Sequence, residues 1–142
     1  MNKSLAYGAA AAVVLAIAGG VFLASGPTAA PPSTFVLLDG SSKTTTDLKG
    51  QVTLVNFWAT SCTTCVHEMP QIVSTHQKFQ GKGYETLAVA MSYDQPDYVA
   101  GFAKTRNLPF LVAMDKSGEA AKGFGEVRLT PTSFLLDKHG NI

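Results

Sequence analysis

Val52–Pro70 reads VTLVNFWATSCTTCVHEMP, and two structural periods meet inside it. Val52–Trp58 is β-branched, aromatic and almost continuously apolar, the pattern of a strand buried on both faces. From Thr63 to about Phe79 a helical period takes over. Val66, Met69, Val73 and His76 recur on one side, with His67, Gln71, Ser74 and Lys78 opposite. Gly81 and Gly83 end that helix. The chain's two cysteines, Cys62 and Cys65, stand where the strand gives way to the helix.

Working outward, Thr34–Leu38 reads as a short strand closed by an Asp39-Gly40 turn, and Thr46–Leu48 as one helical turn ending at Gly50. Tyr84–Met91 is a second buried strand. Pro96 suits the first position of a helix running to about Thr105. Leu111–Met114 is a short strand, 118–124 a loop or weak helix, and Thr132–Leu136 a last strand before an Asp137–Gly140 turn. Strands alternating with helices imply a right-handed βαβ core. No long helix precedes Thr132–Leu136, so an antiparallel addition is expected there.

The chain has 142 residues, 46% of them apolar and 15% charged, with 11 basic and 10 acidic side chains. With no basic run, it offers nothing that would clamp phosphates, which argues against nucleic acid as a partner. The charge deficit is local: Ser4 to Leu38 carries no Asp, Glu, Lys or Arg. Within it, Leu5–Ala24 is just long enough to cross a bilayer, although its eight Ala and three Gly make it a weak span. Lys3 precedes it and the next basic residue is Lys43, an asymmetry that keeps the N-terminus in the cytoplasm and sends the body across. Residues 1–24 therefore read as a membrane anchor or a cleaved signal peptide, with a buried core helix as a weaker alternative. Ser25–Ser33, SGPTAAPPS, reads as a Pro-rich tether, and residues 34–142 as the folded domain.

A thiol at a helix N-terminus faces unpaired backbone N–H groups and the positive end of the helix dipole. Both favour the thiolate, which is the nucleophile in disulfide exchange. The order along the chain puts Cys62 at the exposed edge and Cys65 one turn in. Cys62 should then attack a partner disulfide and Cys65 should resolve the mixed disulfide. Other readings stay open on the residues alone. A structural disulfide across so short a loop constrains the unfolded chain little. Zinc wants four ligands and there is no second cysteine pair. A soft metal such as Cu(I) could use Cys62 and Cys65 with His67 or Met69, although those two fit a solvated surface and a core position.

Val52–Pro70, together with LTPTSFLLDKHGNI at Leu129–Ile142, resembles the thioredoxin-like family, and specifically its membrane-anchored TlpA/ResA/CcmG-type members. The resemblance covers about residues 34–142. It implies a three-layer α/β thioredoxin-like fold without a cofactor. Thioredoxin-like relatives usually continue past the point matching Ile142 through one more strand and a C-terminal helix, so the sequence reads either as a fragment or as an abbreviated fold, and without that last strand an edge is expected to be left unpaired. By itself Pro131 would be an ordinary trans proline at a strand start. The resemblance instead makes it the cis-proline that faces the cysteine pair, with Thr130 placed to bond an extended client peptide beside Cys62. Pro70 matches the proline inside the first helix, where a missing N–H kinks the coil. Glu68 matches the acidic residue before it, positioned to influence Cys65. Phe57 and Trp58 match the aromatic pair at the strand end, with Trp58 packing under the active-site loop and shaping the docking surface.

The sequence departs from the family pattern in three other places. Ser61 stands where many relatives carry Trp. Thr64 stands where Pro is frequent, so Thr63 and Thr64, the pair that tunes the sulfurs, give a less rigid helix start. Asn56 replaces the buried Asp of thioredoxins proper, which leaves Glu68 or water as the proton acceptor for Cys65.

The resemblance implies an extracytoplasmic thiol–disulfide oxidoreductase cycling Cys62 and Cys65. It would reduce client proteins, such as those of cytochrome c maturation or copper sites, with electrons from a membrane thiol donor. The alternatives are a peroxiredoxin-like peroxidase, which would want Thr where Ala59 stands, and a non-enzymatic Cu(I) delivery protein.

Overall fold

The computed structural model describes residues 26–142. The anchor or signal segment expected before them lies outside the described residues. Strand β3 (Val52–Trp58) is flanked on both sides, which explains its continuous apolarity. On one side it pairs in parallel with β4 (Tyr84–Ala90), from Val52 opposite Tyr84 to Trp58 opposite Ala90. On the other it pairs antiparallel with β6 (Thr132–Leu136), Phe57 opposite Thr132. Parallel to β4 runs β5 (Leu111–Met114), and antiparallel to β5 runs β1 (Thr34–Leu37). β2 (Ser42–Thr44) closes a hairpin with β1, giving the order β2-β1-β5-β4-β3-β6.

Helices α1 (Thr63–Phe79) and α2 (Pro96–Thr105) cover one face of this sheet. Beneath them β4 presents Ala88 and Ala90, small enough to let the helices come close. Trp58, Met114, Cys65, Met69, Ile72 and Val99 complete that core. The opposite face carries the larger side chains of the same strands, Val55, Phe57, Leu87 and Val89, packed against Phe35, Phe124 and Leu136. There Phe124 sits between Phe57 and Phe134, with ring centroids 5.5 and 5.1 Å away.

One expectation needs correction, and two segments gave little sequence sign of what they form. The buried stripe of α1 is Cys65, Met69, Ile72 and His76, whereas Val66 and Val73 lie half-buried at its flanks. A helix turns about 100° per residue, so a core contact of a few side chains selects the narrower row. β2 was not legible, because Ser42–Thr44 is polar and is held at the sheet edge only by its pairing with β1. The segment 118–124 does contain a helix, α3 (Glu119–Gly123), too short to show a period. Its first turn is fixed by Asp115, whose carboxylate accepts from the N–H groups of Ala120 (3.2 Å) and Ala121 (2.8 Å). That contact satisfies donors that a helix start leaves unpaired.

Residues 28–33 run along the domain. Ala30 N–H donates to the Gly140 carbonyl at 2.9 Å, and Ile142 N–H to that of Thr28 at 2.8 Å. The Asp137–Gly140 turn that receives them is organised by Asp137, which accepts from the backbone N–H groups of His139 (2.8 Å) and Asn141 (2.9 Å) and from the Asn141 side chain (3.1 Å). These bonds, the Asn141 backbone N–H foremost, hold the Asp137 carboxyl below its ordinary value. A depressed folded-state pKa gives a contribution that is complete above the unfolded value of about 3.9 and fades as pH falls through the folded one. Asp137→Ala should therefore lower the thermal midpoint at pH 7, and the gap to the parent protein should narrow on acidification below about pH 4. Scanning calorimetry across that range checks it.

Candidate active site

β3 ends at Trp58, and Ala59, Thr60 and Ser61 turn the chain into α1. Cys62 is the N-cap of that helix, with extended backbone (φ −87°, ψ 104°). Its sulfur occupies the position where a serine or aspartate oxygen usually sits, accepting from the Cys65 N–H at 3.1 Å. Cys62 and Cys65 are joined by a disulfide, with Cα atoms 5.2 Å apart. Their exposures differ as a division of labour requires: Cys62 is half-buried and reachable, while Cys65 is 1% exposed against Trp58 and Met69. Thr63 and Thr64, the first two residues of the helix, are exposed beside them. Pro70 lies within α1, where it cannot donate to the Val66 carbonyl.

The antiparallel return of β6 brings the second half of the site. The Thr130–Pro131 bond is cis, and the Thr130 carbonyl oxygen lies 3.5 Å from the Cys62 sulfur. In the oxidised protein this is a plain contact. In a reduced thiol it becomes an S–H donation to the carbonyl, and in a thiolate it sets two electron-rich atoms together. The Cys65 N–H and the helix dipole pull towards the thiolate, whereas the Thr130 carbonyl pulls towards the thiol.

Other residues singled out from the sequence take less direct places. Glu68 is exposed, one turn beyond Cys65. His67 is exposed as well, while Met69 is 2% exposed in the core. Trp58 needs correction as a shaper of the docking surface. It is fully buried, its ring 5.0 Å from that of Phe102, and its indole N–H has no partner among the described residues. It supports the cysteine loop from below and offers no surface to a client. Asn56, also buried, donates from Nδ2 to the Ser133 hydroxyl at 2.9 Å, and its Oδ1 is unpartnered among the described residues.

Sequence reasoning missed Asp94. It follows β4, is 7% exposed, and grips the cysteine loop from the side. One carboxylate oxygen accepts from the Thr60 N–H and the other from the Thr60 hydroxyl, both at 2.6 Å, and the Gln95 N–H adds a third bond at 3.1 Å. The neighbouring Tyr93 hydroxyl lies 3.5 Å from the Thr130 hydroxyl. The segment between β4 and α2 thus touches both halves of the site. The available sequence signal was Asp94 two residues before Pro96, a pattern that equally marks a helix start.

The model of the redoxin family matches residues 24–142. The chain belongs to the redoxin family. This redoxin is 41% identical over 106 residues to the thiol-disulfide oxidoreductase ResA of Bacillus thuringiensis subsp. konkukian (strain 97-27), a match covering 74% of this chain and 60% of the relative. It is 34% identical over 110 residues to ResA of Geobacillus thermodenitrificans (strain NG80-2), covering 76% and 62%. The chain therefore spans about three fifths of the length of these curated relatives. Among solved structures, a thiol:disulfide interchange protein of the thioredoxin family from Chlorobium tepidum TLS superposes with a TM-score of 0.75 at 30% identity, covering 83% of each chain. The thioredoxin-like fold and the resemblance to ResA-type proteins are both borne out.

Asp94→Ala removes the acceptor for two Thr60 donors beside a buried loop. Leaving such donors unsatisfied costs about 1–3 kcal/mol. Urea denaturation of the redoxin should show a loss of that size with an unchanged slope, and Asp94→Asn, which keeps one acceptor oxygen, should lose less.

Proposed function

We propose that this redoxin is a thiol–disulfide oxidoreductase that reduces disulfides of client proteins through Cys62 and Cys65. The observation that carries this reading is the unequal placement of the joined sulfurs. Cys62 is reachable at a helix N-terminus, whereas Cys65 lies behind it, shut off from any protein-sized partner. In the reduced protein the Cys62 thiolate attacks one sulfur of the client disulfide. A bond forms between Cys62 and that sulfur, the client S–S bond breaks, and the other client sulfur leaves as a thiolate. Cys65, deprotonated by water or by the exposed Glu68, then attacks the Cys62 sulfur and releases the client's second thiolate. The client gains two electrons, and the protons of the two thiols end on its sulfurs through solvent. The Cys62–Cys65 disulfide remains and is reset by an external dithiol. Thr130 and Pro131 border the approach, with the Thr130 backbone offered to the client segment.

The direction rests on the balance around Cys62. A single backbone N–H and the helix dipole favour its thiolate, and a carbonyl at 3.5 Å opposes them. A thiolate held only modestly gives up little when the disulfide forms, so the dithiol is a reductant. The location follows from the uncharged Leu5–Ala24 run behind Lys3: the domain works outside the cytoplasm, tethered to the membrane, near a membrane thiol donor. Apocytochrome c and copper-site thiols are the client classes this reading names. The names of the ResA relatives support the activity.

Reduced Cys65→Ser incubated with a protein disulfide substrate should accumulate a mixed disulfide through Cys62, visible on a non-reducing gel, and Cys62→Ser should not. Failure of the first to trap would contradict the division of labour. Equilibration with glutathione should give a potential more reducing than the roughly −180 mV of protein disulfide isomerase; a more oxidising value would reverse the direction.

A further inference from the structure

The sequence has no basic run, yet the fold gathers lysines from three loops at the end of the sheet away from the cysteines. The Gly50 N–H donates to the Lys138 carbonyl and the Val52 N–H to the Gly83 carbonyl, both at 2.9 Å, which ties together the loops before β3, before β4 and after β6. Lys49, Lys82 and Lys138 stand exposed in these loops, with Lys78 beside them in the last turn of α1. Among the described residues none of the four is paired with a carboxylate. The acidic groups nearby are engaged elsewhere. Asp47 accepts from the N–H and the hydroxyl of Thr44 at 2.8 and 2.7 Å, Asp137 accepts within its own turn, and Glu85 faces His76 at 3.6 Å. Lys82 uses one N–H on the Lys78 carbonyl at 3.0 Å. Phe79, 40% exposed, lies 5.4 Å beneath the Lys78 ammonium.

The same end of the domain receives the N-terminal segment. The Ile142 N–H donates to the Thr28 carbonyl at 2.8 Å and the Ala30 N–H to the Gly140 carbonyl at 2.9 Å, and a Cβ at Gly140 would meet the Lys49 side chain at 3.1 Å. The uncharged run ends at Ala24, four residues before the pinned Thr28, which is about 14 Å of chain at full extension. We propose that this lysine-bearing end is an interaction surface for the phosphates of anionic lipid headgroups, so that the domain stands on the bilayer in a fixed orientation. The inference rests on the reading of Leu5–Ala24 as a membrane anchor and adds which face of the domain that anchor brings down. Ammonium groups without a protein countercharge are drawn to a negative surface, and the attraction falls off over about 10 Å at ordinary ionic strength, a length comparable with the tether. The bilayer is therefore the one negative surface kept constantly within their range. The exposed Phe79 ring adds an apolar contact of the kind an interface accepts. β3 is seven residues long, so the cysteine loop at its far end stands about 20 Å above this surface and faces clients arriving from the water.

The test uses the full chain in its disulfide form, reconstituted into vesicles of phosphatidylcholine alone or mixed with phosphatidylglycerol. A membrane-impermeant acetylating reagent is applied, and the rate at each lysine is read by mass spectrometry. Lys116, which follows β5 at the cysteine end of the sheet, and Lys122 in α3 are the internal references. Relative to them, Lys49, Lys82 and Lys138 should react about five-fold more slowly in the anionic vesicles than in the neutral ones, and raised salt should erase the difference. Equal relative rates in the two vesicles, slowing shared by Lys116 and Lys122, or slowing that persists in high salt would each overturn the inference. So would slowing that scales with protein density at fixed lipid composition, the mark of a second copy on this face. In each of these cases the chain still floats with the vesicles, and the tethered reading stands. A chain that floats with neither vesicle overturns both.

Discussion

The rest of the site depends on one contact: a cysteine sulfur standing as the N-cap of a helix and taking the N–H bond of the residue three positions on. A helix start leaves several backbone donors unpaired, and here the acceptor is also the reactive atom. That places two demands on the fold. The helix must begin at Cys62 and nowhere else, and its first turn must face solvent while its body is buried. Val52–Trp58, hydrogen-bonded on both edges, delivers the chain to that point. Cys65, Met69, Ile72 and His76 hold the helix down against the sheet. Asp94 fixes the intervening loop through Thr60.

The opposing group arrives by a separate route. β6 runs antiparallel to β3, so the residues before it lie at the end of the sheet where the cysteine loop emerges. This brings the Thr130 carbonyl to the Cys62 sulfur across 68 residues of sequence. The sulfur is thus held between a donor from its own helix and an acceptor from the far end of the chain. Moving either one shifts the balance between thiol and thiolate, and with it the balance between dithiol and disulfide, because each pKa unit is about 1.4 kcal/mol. Among the described residues the sulfur's hydrogen-bonding contacts are backbone groups alone.

Much of this was legible in the sequence where one interaction dominates. Val52–Trp58 and α1 appeared with the bounds read from their patterns, since a doubly paired buried strand and a long amphipathic helix each carry a strong period. The antiparallel placement of β6 followed from the lack of a long helix before it. The cysteine pair declared itself by standing at the junction. The illegible parts were those made by contacts between distant residues. β2 is polar and exists through its hairpin. α3 depends on Asp115, four residues outside it, and the brace on Thr60 comes from Asp94, 34 residues away. Trp58 was placed under the loop correctly, but an aromatic residue at a strand end gives no sign of whether any of its surface remains exposed. Its burial was decided by Phe102 from another helix.

The most direct measurement is a titration of the Cys62 sulfur, followed by thiolate ultraviolet absorbance in reduced Cys65→Ser so that a single thiol reports. If the helix start and the Cys65 N–H outweigh the Thr130 carbonyl, the sulfur ionises below the ordinary thiol value of about 8.5. A value at or above 8.5 would contradict the account, because the N-cap contact would then contribute nothing to the nucleophile.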